Sequence, residues 1–311
     1  MSVDRTDDIA LLHELEPVAA RLLERHLDTA KAWYPHAVVP WSRGEDFPED
    51  YAWDPAESAV SAPVRSALYV NLLTEDNLPY YFRDVHRMFG PGEGAWAEWG
   101  RRWTAEEGRH AMAIRDYLVV TRTIDPVGLE EARMVQMSSG MVPEPPTAAR
   151  GFAYLAIQEL ATRISHRNTG KLIDDPAGYE VMARVASDEN FHFLFYRDAA
   201  TAALEAAPSV MMQAIADEVC GFSMPGTGIP GFVEHSRAIA KAGIYDLSVH
   251  HDQILVPVVL RHWDVEHVTG LDAAGEAARE RLMAYLGKSE RVARRLADKK
   301  AAAAEAELVS S

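Results

Sequence analysis

Residues 103–110 read WTAEEGRH, and residues 187–193 read SDENFHF. Each stretch places a glutamate three positions before a histidine, as Glu107–His110 and Glu189–His192. On an α-helix, residues three apart lie about 60° apart around the axis, so their side chains point to one side. A carboxylate and an imidazole in that register can bind one metal ion. The two stretches therefore predict two helices, each with a metal-binding edge.

A lone glutamate precedes each motif at a similar distance in an otherwise apolar helical segment. Glu75 lies in SALYVNLLTEDNLPYYF, and Glu159 lies in GFAYLAIQELATRIS. The chain thus repeats one helix pair, and each copy contributes E … E-x-x-H. Helix bundles that hold two irons use this arrangement, with a lone Glu from each of two helices and Glu-x-x-His from each of two others. The repeat predicts such a four-helix core.

The charges of this ligand set are consistent with a pair of irons. Four carboxylates that converge in a core would repel one another and lose hydration. Two ferrous ions would balance four carboxylates and two neutral histidines, and this ligand set suits iron or manganese better than zinc. Glu106 and Asp188 lie about 100° around their helices from Glu107 and Glu189. We expect these two acids to orient the histidines rather than to bind metal.

The dominant period along the chain is helical, and no segment alternates in the manner of a strand. Asp125-Pro126 and Asp175-Pro176 each place a capping acid before a proline that can begin a helix. Without a long linker, the sequence predicts a single all-helical domain, 1–311, with frayed ends at ~1–7 and ~301–311. The predicted helices are ~8–32, 60–89, 94–122, 127–139, 146–172, 176–204, 208–220, 230–242, 245–265 and 272–303.

Pro79 lies four residues after Glu75 and lacks the N–H that would bond the carbonyl of Glu75. Two interpretations stay open from this residue alone. The helix is kinked beside a metal ligand, or the proline lies near a helix end.

Composition excludes several classes of function. The net charge is −16, from 47 acids against 31 Lys and Arg, which argues against general nucleic-acid binding. No apolar run approaches the ~20 residues of a membrane span. The segment MSVDRTDDIALLHELE resembles neither a secretory signal nor a transit peptide, so we expect a cytoplasmic protein. Cys220 is the single cysteine, which excludes a bound iron–sulfur cluster, so electrons for any redox chemistry must come from a partner.

Other motifs carry less weight. GTGIPG at 226–231 fits a dinucleotide-binding pattern, but it has Pro230 where a helix should open, so we interpret it as a loop. Ser165-His166 has no acid placed to complete a hydrolytic triad, and we set it aside.

Together these motifs resemble the soluble acyl-(acyl-carrier-protein) desaturases, the stearoyl-carrier-protein desaturase family. The resemblance covers roughly residues 25–300 and implies an all-α, ferritin-like helix bundle with additional helices around a four-helix diiron core. It also implies a homodimer that uses O2 and electrons from ferredoxin to desaturate an acyl chain on acyl carrier protein. It rests on TEDNLP (74–79), WTAEEGRH (103–110), QELATRISHRNTG (158–170) and SDENFH (187–192), extended by KAWYPHAVVP (31–40) and RHWDVEHVTGL (261–271).

The resemblance also implies roles for individual residues. Thr162 matches a threonine beside the oxygen site, a candidate proton donor. Trp33 and Asp188 match a tryptophan and an aspartate that carry electrons inward with the first histidine, here His110. The metal ligands for two irons per chain would be Glu75, Glu107, His110, Glu159, Glu189 and His192.

The substrate and partner residues are the remaining expectations. Gly151 and Phe152 match a Gly-Phe pair at the acyl tunnel, and Met88 would line its far end. For docking of an acidic carrier we select Arg21, Arg25 and Lys31, with an ordinary solvated face as the open alternative. The chain departs from the family at Phe191, where a basic residue is common, and in a shorter segment between Glu75 and Glu107. Both departures affect the docking surface rather than the metal site.

The leading hypothesis is an O2- and ferredoxin-dependent diiron desaturase that introduces a cis double bond into a saturated acyl chain. A diiron hydroxylase or other oxygenase on the same bundle is a second hypothesis, because the metal ligands alone do not choose the product. A non-enzymatic, ferritin-like metal-binding protein is the third.

Overall fold

The computed structural model describes residues 5–90, 92–140 and 142–310, and within these ranges the chain forms helices and no strand. A π-helical stretch, His251–His262, follows directly on the short helix Leu247–His250. The α-helices are α1 (Arg5–Thr29), α2 (Pro35–Val38), α3 (Ala62–Glu75), α4 (Leu78–Phe89), α5 (Ala95–Val120), α6 (Pro126–Ser139), α7 (Ala148–Lys171), α8 (Pro176–Ala206), α9 (Pro208–Cys220), α10 (Phe232–Lys241), α11 (Leu247–His250) and α12 (Ala273–Ser310).

Helices α6 and α8 each begin at an aspartate that caps the helix. The Asp125 carboxylate accepts a hydrogen bond from the backbone N–H of Val127 at the start of α6. Asp175 does the same for Ala177 at the start of α8. Each cap satisfies a backbone donor that has no partner inside the helix. The two Asp-Pro signals are therefore confirmed as helix starts.

The helix expected at 60–89 is two helices in the structure. α3 ends at Glu75, and α4 begins at Leu78 with Pro79 in its first turn. Because Pro79 cannot donate to the Glu75 carbonyl, the chain starts a new helix instead of bending one. Of the two interpretations of Pro79, the proline near a helix end is confirmed. A metal-ligand candidate thereby becomes the last residue of its helix.

The sequence predicts frayed ends at residues ~1–7 and ~301–311. Residues 1–4 and 311 lie outside the described residues, while α1 begins at Arg5 and α12 continues as a helix to Ser310.

Four helices enclose the centre of the molecule. α3 packs on α5 and α7, and α8 packs on the same two helices, so α3, α5, α7 and α8 close a four-helix core. α1 lies against α5 and α8, α10 covers α3, and α9 covers α7 and α8 with α12 behind it. The predicted all-α class, a four-helix core with additional helices around it, is confirmed.

Apolar side chains pack on both sides of a polar belt in this core. Along α5, Trp103 belongs to the larger apolar cluster and Ala113 to the second one, and the acids and histidine lie between them. α8 repeats the order, with Val185 in the second cluster and Phe193 in the larger one. Burial of these apolar surfaces stabilises the bundle, while the polar belt costs free energy unless its atoms find partners.

In the described part of the chain, no helix has the combined length and apolar character needed to cross a membrane.

Candidate metal centre

The six side chains singled out by the repeat meet inside the four-helix core, and none is more than 7% exposed. One ligand atom of each member lies within 4.8 Å of the others in two overlapping groups. Glu107 and Glu189 belong to both groups, so the arrangement is two sites that share two carboxylates. The groups are Glu75, Glu107, His110 and Glu189, and Glu107, Glu159, Glu189 and His192.

The polar atoms at this place fit a cation. Oε1 of Glu107, Oε2 of Glu159 and Nδ1 of His192 are buried and make no hydrogen bond. Nδ1 of His192 lies 2.8 Å from Oε1 of Glu107 and 3.6 Å from Oε2 of Glu159. Buried polar atoms without partners are costly, and one cation bound among these three would satisfy all of them. Nitrogen with carboxylate oxygens is a donor set suited to iron or manganese.

The pKa values of the buried acids and histidines at this site are shifted because their charges are buried close together. Burial, followed by the negative charge of Glu189, raises the pKa of Glu159 well above its ordinary value. Burial alone would lower the pKa of His192, but the carboxylates of Glu106 and Glu107 beside its ring raise the pKa well above the usual range. Acids and imidazoles therefore share protons here, and metal ions that bind must displace those protons.

The acids beside the two motifs hold the histidines, as expected, and they do so crosswise. Nε2 of His192 lies 3.0 Å from Oε2 of Glu106, and Nε2 of His110 lies 3.1 Å from Oδ2 of Asp188. Each acid thus fixes the histidine of the other motif. An imidazole that donates from Nε2 leaves its Nδ1 lone pair free to bind metal.

Trp33, Asp188 and His110 form one continuous chain of hydrogen bonds. The indole Nε1 of Trp33 donates to Oδ2 of Asp188 at 2.8 Å, and the same oxygen faces His110. Arg109 also donates to Oδ2 of Asp188, and its guanidinium lies 4.9 Å from the centre of the Trp33 ring. The structure therefore brings together the three residues that the resemblance links.

Thr162 lies one turn after Glu159 and faces the ligands. Its Oγ1 is 2.9 Å from Oε2 of Glu189. It lines an apolar cavity of about 90 Å³ that also reaches Glu75 and His166. A hydroxyl at this position can hold or release a proton beside a carboxylate shared by both sites.

Two histidines contact the belt without having been selected from the sequence. Nε2 of His166 lies 3.0 Å from Oε1 of Glu75, and Nε2 of His26 lies 2.9 Å from Oε2 of Glu106. His166 carries a usable signal, because it is seven residues after Glu159 and shares its helix face. His26 carries none, because its contact joins segments far apart in the chain.

The candidate substrate residues lie beyond the metal belt. A small cavity of about 30 Å³ extends from Glu159 along Tyr81, Tyr154 and Leu155. Gly151 comes one helical turn before Leu155, and a Cβ placed on it would lie 2.2 Å from the Cε of Met88.

Phe152 is fully buried beside Gly151 and stacks on Trp96 at 5.2 Å and on Phe89 at 6.0 Å. Met88 thus lies against Gly151, with Phe152 next in the chain, and none of the three lines the small cavity itself.

The candidate docking residues form a weaker positive surface than the sequence indicates. Nη1 of Arg25 lies 2.7 Å from Oδ2 of Asp198, so its charge is paired. Arg21 donates to the carbonyl of Pro17, and Lys31 lies past the end of α1 rather than on the same helix.

Comparisons with known proteins show a matching family, similar sequences and a similar solved structure. A family model described as fatty acid desaturase matches residues 7–310. DesA1 of Mycobacterium tuberculosis, named as an acyl-[acyl-carrier-protein] desaturase, is 42% identical over 288 residues, covering 88% of this chain and 84% of the relative. The chloroplastic stearoyl-[acyl-carrier-protein] 9-desaturase of Spinacia oleracea is 29% identical over 296 residues, covering 88% and 73%. The X-ray structure of DesA2 from M. tuberculosis H37Rv, titled as an acyl-ACP desaturase, superposes with a TM-score of 0.70 at 29% identity, covering 86% of this chain and 99% of that one.

Proposed function

This chain belongs to the fatty acid desaturase family, and from that premise we propose that it is a diiron acyl-[acyl-carrier-protein] desaturase. Its six buried side chains from α3, α5, α7 and α8 hold two irons. The reaction introduces a cis double bond into a saturated acyl chain carried on acyl carrier protein. The observation that carries this proposal is the pair of overlapping, buried carboxylate–histidine groups, one of which has three polar atoms without hydrogen bonds.

Different residues of this chain have different roles around that centre. Two irons, when bound, supply the activation of O2 and the removal of hydrogen from an unactivated methylene. Glu107 and Glu189 belong to both groups and would help to hold both irons, while His110 and His192 would each help to hold one. The reaction consumes protons as well as electrons, and the Thr162 hydroxyl lies 2.9 Å from Oε2 of Glu189. Thr162 holds a proton there for release during turnover.

Electrons enter along Trp33, Asp188 and His110. The 2.8 and 3.1 Å contacts along this chain support the assignment, because they connect Trp33, in the segment between α1 and α2, to a metal ligand. Trp33 has only 6% of its surface exposed, so an electron donor bound there would lie close to the path. Reduced ferredoxin is the proposed donor, since a chain with one cysteine holds no iron–sulfur cluster of its own.

The acyl chain lies beside the irons in the apolar path toward Met88, Gly151 and Phe152. Tyr81, Tyr154 and Leu155 line the path next to the ligands and exclude water from it. A narrow path fixes which methylene faces the metals, and this selects the position of the double bond.

We also propose which proteins this chain binds. Acyl carrier protein presents the substrate, as the names of the relatives indicate for those proteins. Arg21, Arg25 and Lys31 remain the proposed docking residues, and Arg25 must exchange Asp198 for a carboxylate of the carrier. We further propose a homodimer that acts in the cytoplasm.

Product mass tests the function. The iron-loaded protein, reduced ferredoxin and O2 should convert a saturated acyl-[acyl-carrier-protein] into a product lighter by two hydrogens. A ladder of acyl lengths in parallel reactions identifies the preferred substrate. A product heavier by one oxygen would assign the hydroxylase hypothesis instead. An iron-loaded protein that consumes no O2 with any acyl chain would support the non-enzymatic hypothesis.

A further inference from the structure

The two metal-binding histidines are held by matched sets of residues, one set on each side of the centre. On the His110 side, Asp188 accepts hydrogen bonds from Arg109 and Trp33. On the His192 side, Glu106 accepts a hydrogen bond from Arg102 on Oε1 at 2.6 Å. The position that corresponds to Trp33 is occupied there by His26, whose Nε2 lies 2.9 Å from Oε2 of Glu106.

The surroundings of His26 leave its imidazole one polar partner among the described residues. His26 is 4% exposed on α1, and its Nδ1 is buried without a hydrogen bond. The ring meets Trp99 edge-on at 5.0 Å and Phe191 edge-on at 6.0 Å. These aromatic contacts fix the plane of the ring, so Nε2 is aimed at Glu106. A buried polar side chain with one partner is costly unless that contact serves the structure or the site.

We infer that His26 is a positioning residue for the iron on the His192 side of the proposed diiron centre. Its Nε2–H donates to Oε2 of Glu106, and the same oxygen accepts the Nε2–H of His192. His26 thereby holds the carboxylate in the one rotation that keeps His192 in the tautomer with a free Nδ1. Without His26, and apart from His192 itself, Glu106 would be held only by its other oxygen, by Arg102, whose side chain is 37% exposed, and by Arg109 at 3.9 Å.

The expected consequence is confined to one of the two irons. Loss of an outer partner of a metal-binding histidine typically weakens metal binding by about 10- to 100-fold. His26 acts on the group that contains Glu159 and His192. The group that contains Glu75 and His110 keeps its own partners, Asp188, Arg109 and Trp33. Removal of the His26 donor should therefore weaken one iron site and leave the other.

The test is anaerobic titration of the purified full chain with ferrous iron against a chromophoric chelator. His26→Leu removes the donor, while His26→Gln retains an N–H close to the position of Nε2. His13→Leu is the matched control, because His13 is an exposed histidine on the same helix. We expect His26→Leu to weaken the second iron by about 10- to 100-fold, and His26→Gln and His13→Leu to bind both irons as the unaltered chain does. Circular dichroism melting shows which variants are folded.

Two results would overturn the inference. One is His26→Leu with unchanged affinity for both irons. The other is a folded His26→Gln that loses as much affinity as His26→Leu, since the hydrogen bond alone would then not be the cause.

Double variants assign the effect to its side of the centre. In a Glu159→Ala background the His192 side is already disabled, so adding His26→Leu should change the remaining iron little. In a Glu75→Ala background the same addition should weaken the iron that remains. If His26→Leu instead weakened the remaining iron in the Glu159→Ala background and not in the Glu75→Ala background, its effect would lie on the His110 side. That result would contradict the inference. Iron binding is measured without acyl substrate, so absence of desaturase activity would refute the proposed function and leave this test intact.

Discussion

The two ligand-bearing helix pairs, α3 with α5 and α7 with α8, supply the same acids and histidines but differ beside the lone glutamate. α3 ends at Glu75, whereas α7 continues past Glu159 to Lys171. Three residues after Glu159 the chain has Thr162, and three after Glu75 it has the apolar Leu78. The repeat builds the ligand set, and the departures from the repeat make one side of the centre different from the other.

The pKa values of the two lone glutamates, Glu75 and Glu159, are shifted in opposite directions. Burial acts to raise the pKa of Glu75, but hydrogen bonds from His110 and His166 outweigh it and lower the pKa. The pKa of Glu159 is instead raised by burial and by Glu189, although Trp103 donates to its Oε1 at 3.0 Å. Before metal binds, Glu159 therefore retains a proton more readily than Glu75 does.

The largest effect should follow from removal of a carboxylate that both sides share. Glu107→Ala or Glu189→Ala takes an oxygen ligand from both groups, so we expect loss of both irons and of all desaturation. Metal analysis with an activity assay measures this. Glu98→Ala is the matched control, because Glu98 is exposed on the same helix as Glu107. Full turnover in either shared-carboxylate variant would reassign the centre.

A smaller and one-sided effect should follow from removal of either lone glutamate. Glu75→Ala and Glu159→Ala should each reduce bound iron to about one per chain, since each residue belongs to one group only. The two variants should differ in proton release, because the pKa of Glu159 is raised and that of Glu75 is lowered before metal binds. Isothermal titration calorimetry in buffers of different ionisation enthalpy measures that release. If Glu159→Ala releases as many protons on binding iron as Glu75→Ala, the proposed electrostatic difference is wrong.

Thr162→Val should slow turnover and leave iron content unchanged. The substitution keeps the shape of the side chain and removes the hydroxyl near Glu189, so it sharpens the contrast with Leu78 on the other pair. We expect kcat to fall by roughly 10²-fold, the scale of a positioned proton donor. Thr201→Val is a control at a half-buried threonine on α8, whose hydroxyl donates to the carbonyl of Arg197. Unchanged kinetics in Thr162→Val would remove its proton role.

The smallest effect should be a change of substrate length without loss of rate. Met88→Ala removes the side chain that packs against Gly151, and so lengthens the apolar path beyond Phe152. We expect the preferred acyl chain to become longer, with iron content unchanged, as measured by competition between acyl lengths in one reaction. Gly151→Ala should act in the opposite direction, because its Cβ would need the space of Met88. The same preference in both variants would place the end of the path elsewhere.

Local spacing explains why the ligands could be predicted from the sequence. Glu107 with His110 and Glu189 with His192 are three apart on helices, and helix geometry alone orients them together. The Asp-Pro caps are local as well. Pro79 indicated a disturbance beside Glu75, but spacing does not distinguish a kink from two helices, because the outcome depends on the packing around residues 76–77.

Contacts between distant segments could not be predicted in this way. The crosswise pairing of Glu106 with His192 and of Asp188 with His110 depends on how α5 and α8 are rotated against each other. The contact of His26 with Glu106 joins α1 to α5, and no periodicity encodes it. The pairing of Arg25 with Asp198 likewise arises from the packing of α1 on α8.

Iron stoichiometry of the purified chain, combined with Mössbauer spectroscopy, tests the central claim most directly. We expect about two irons per chain, magnetically coupled through the shared Glu107 and Glu189 carboxylates. A single bound zinc without iron, or two irons that are magnetically isolated, would contradict a centre in which four helices share one pair of metals.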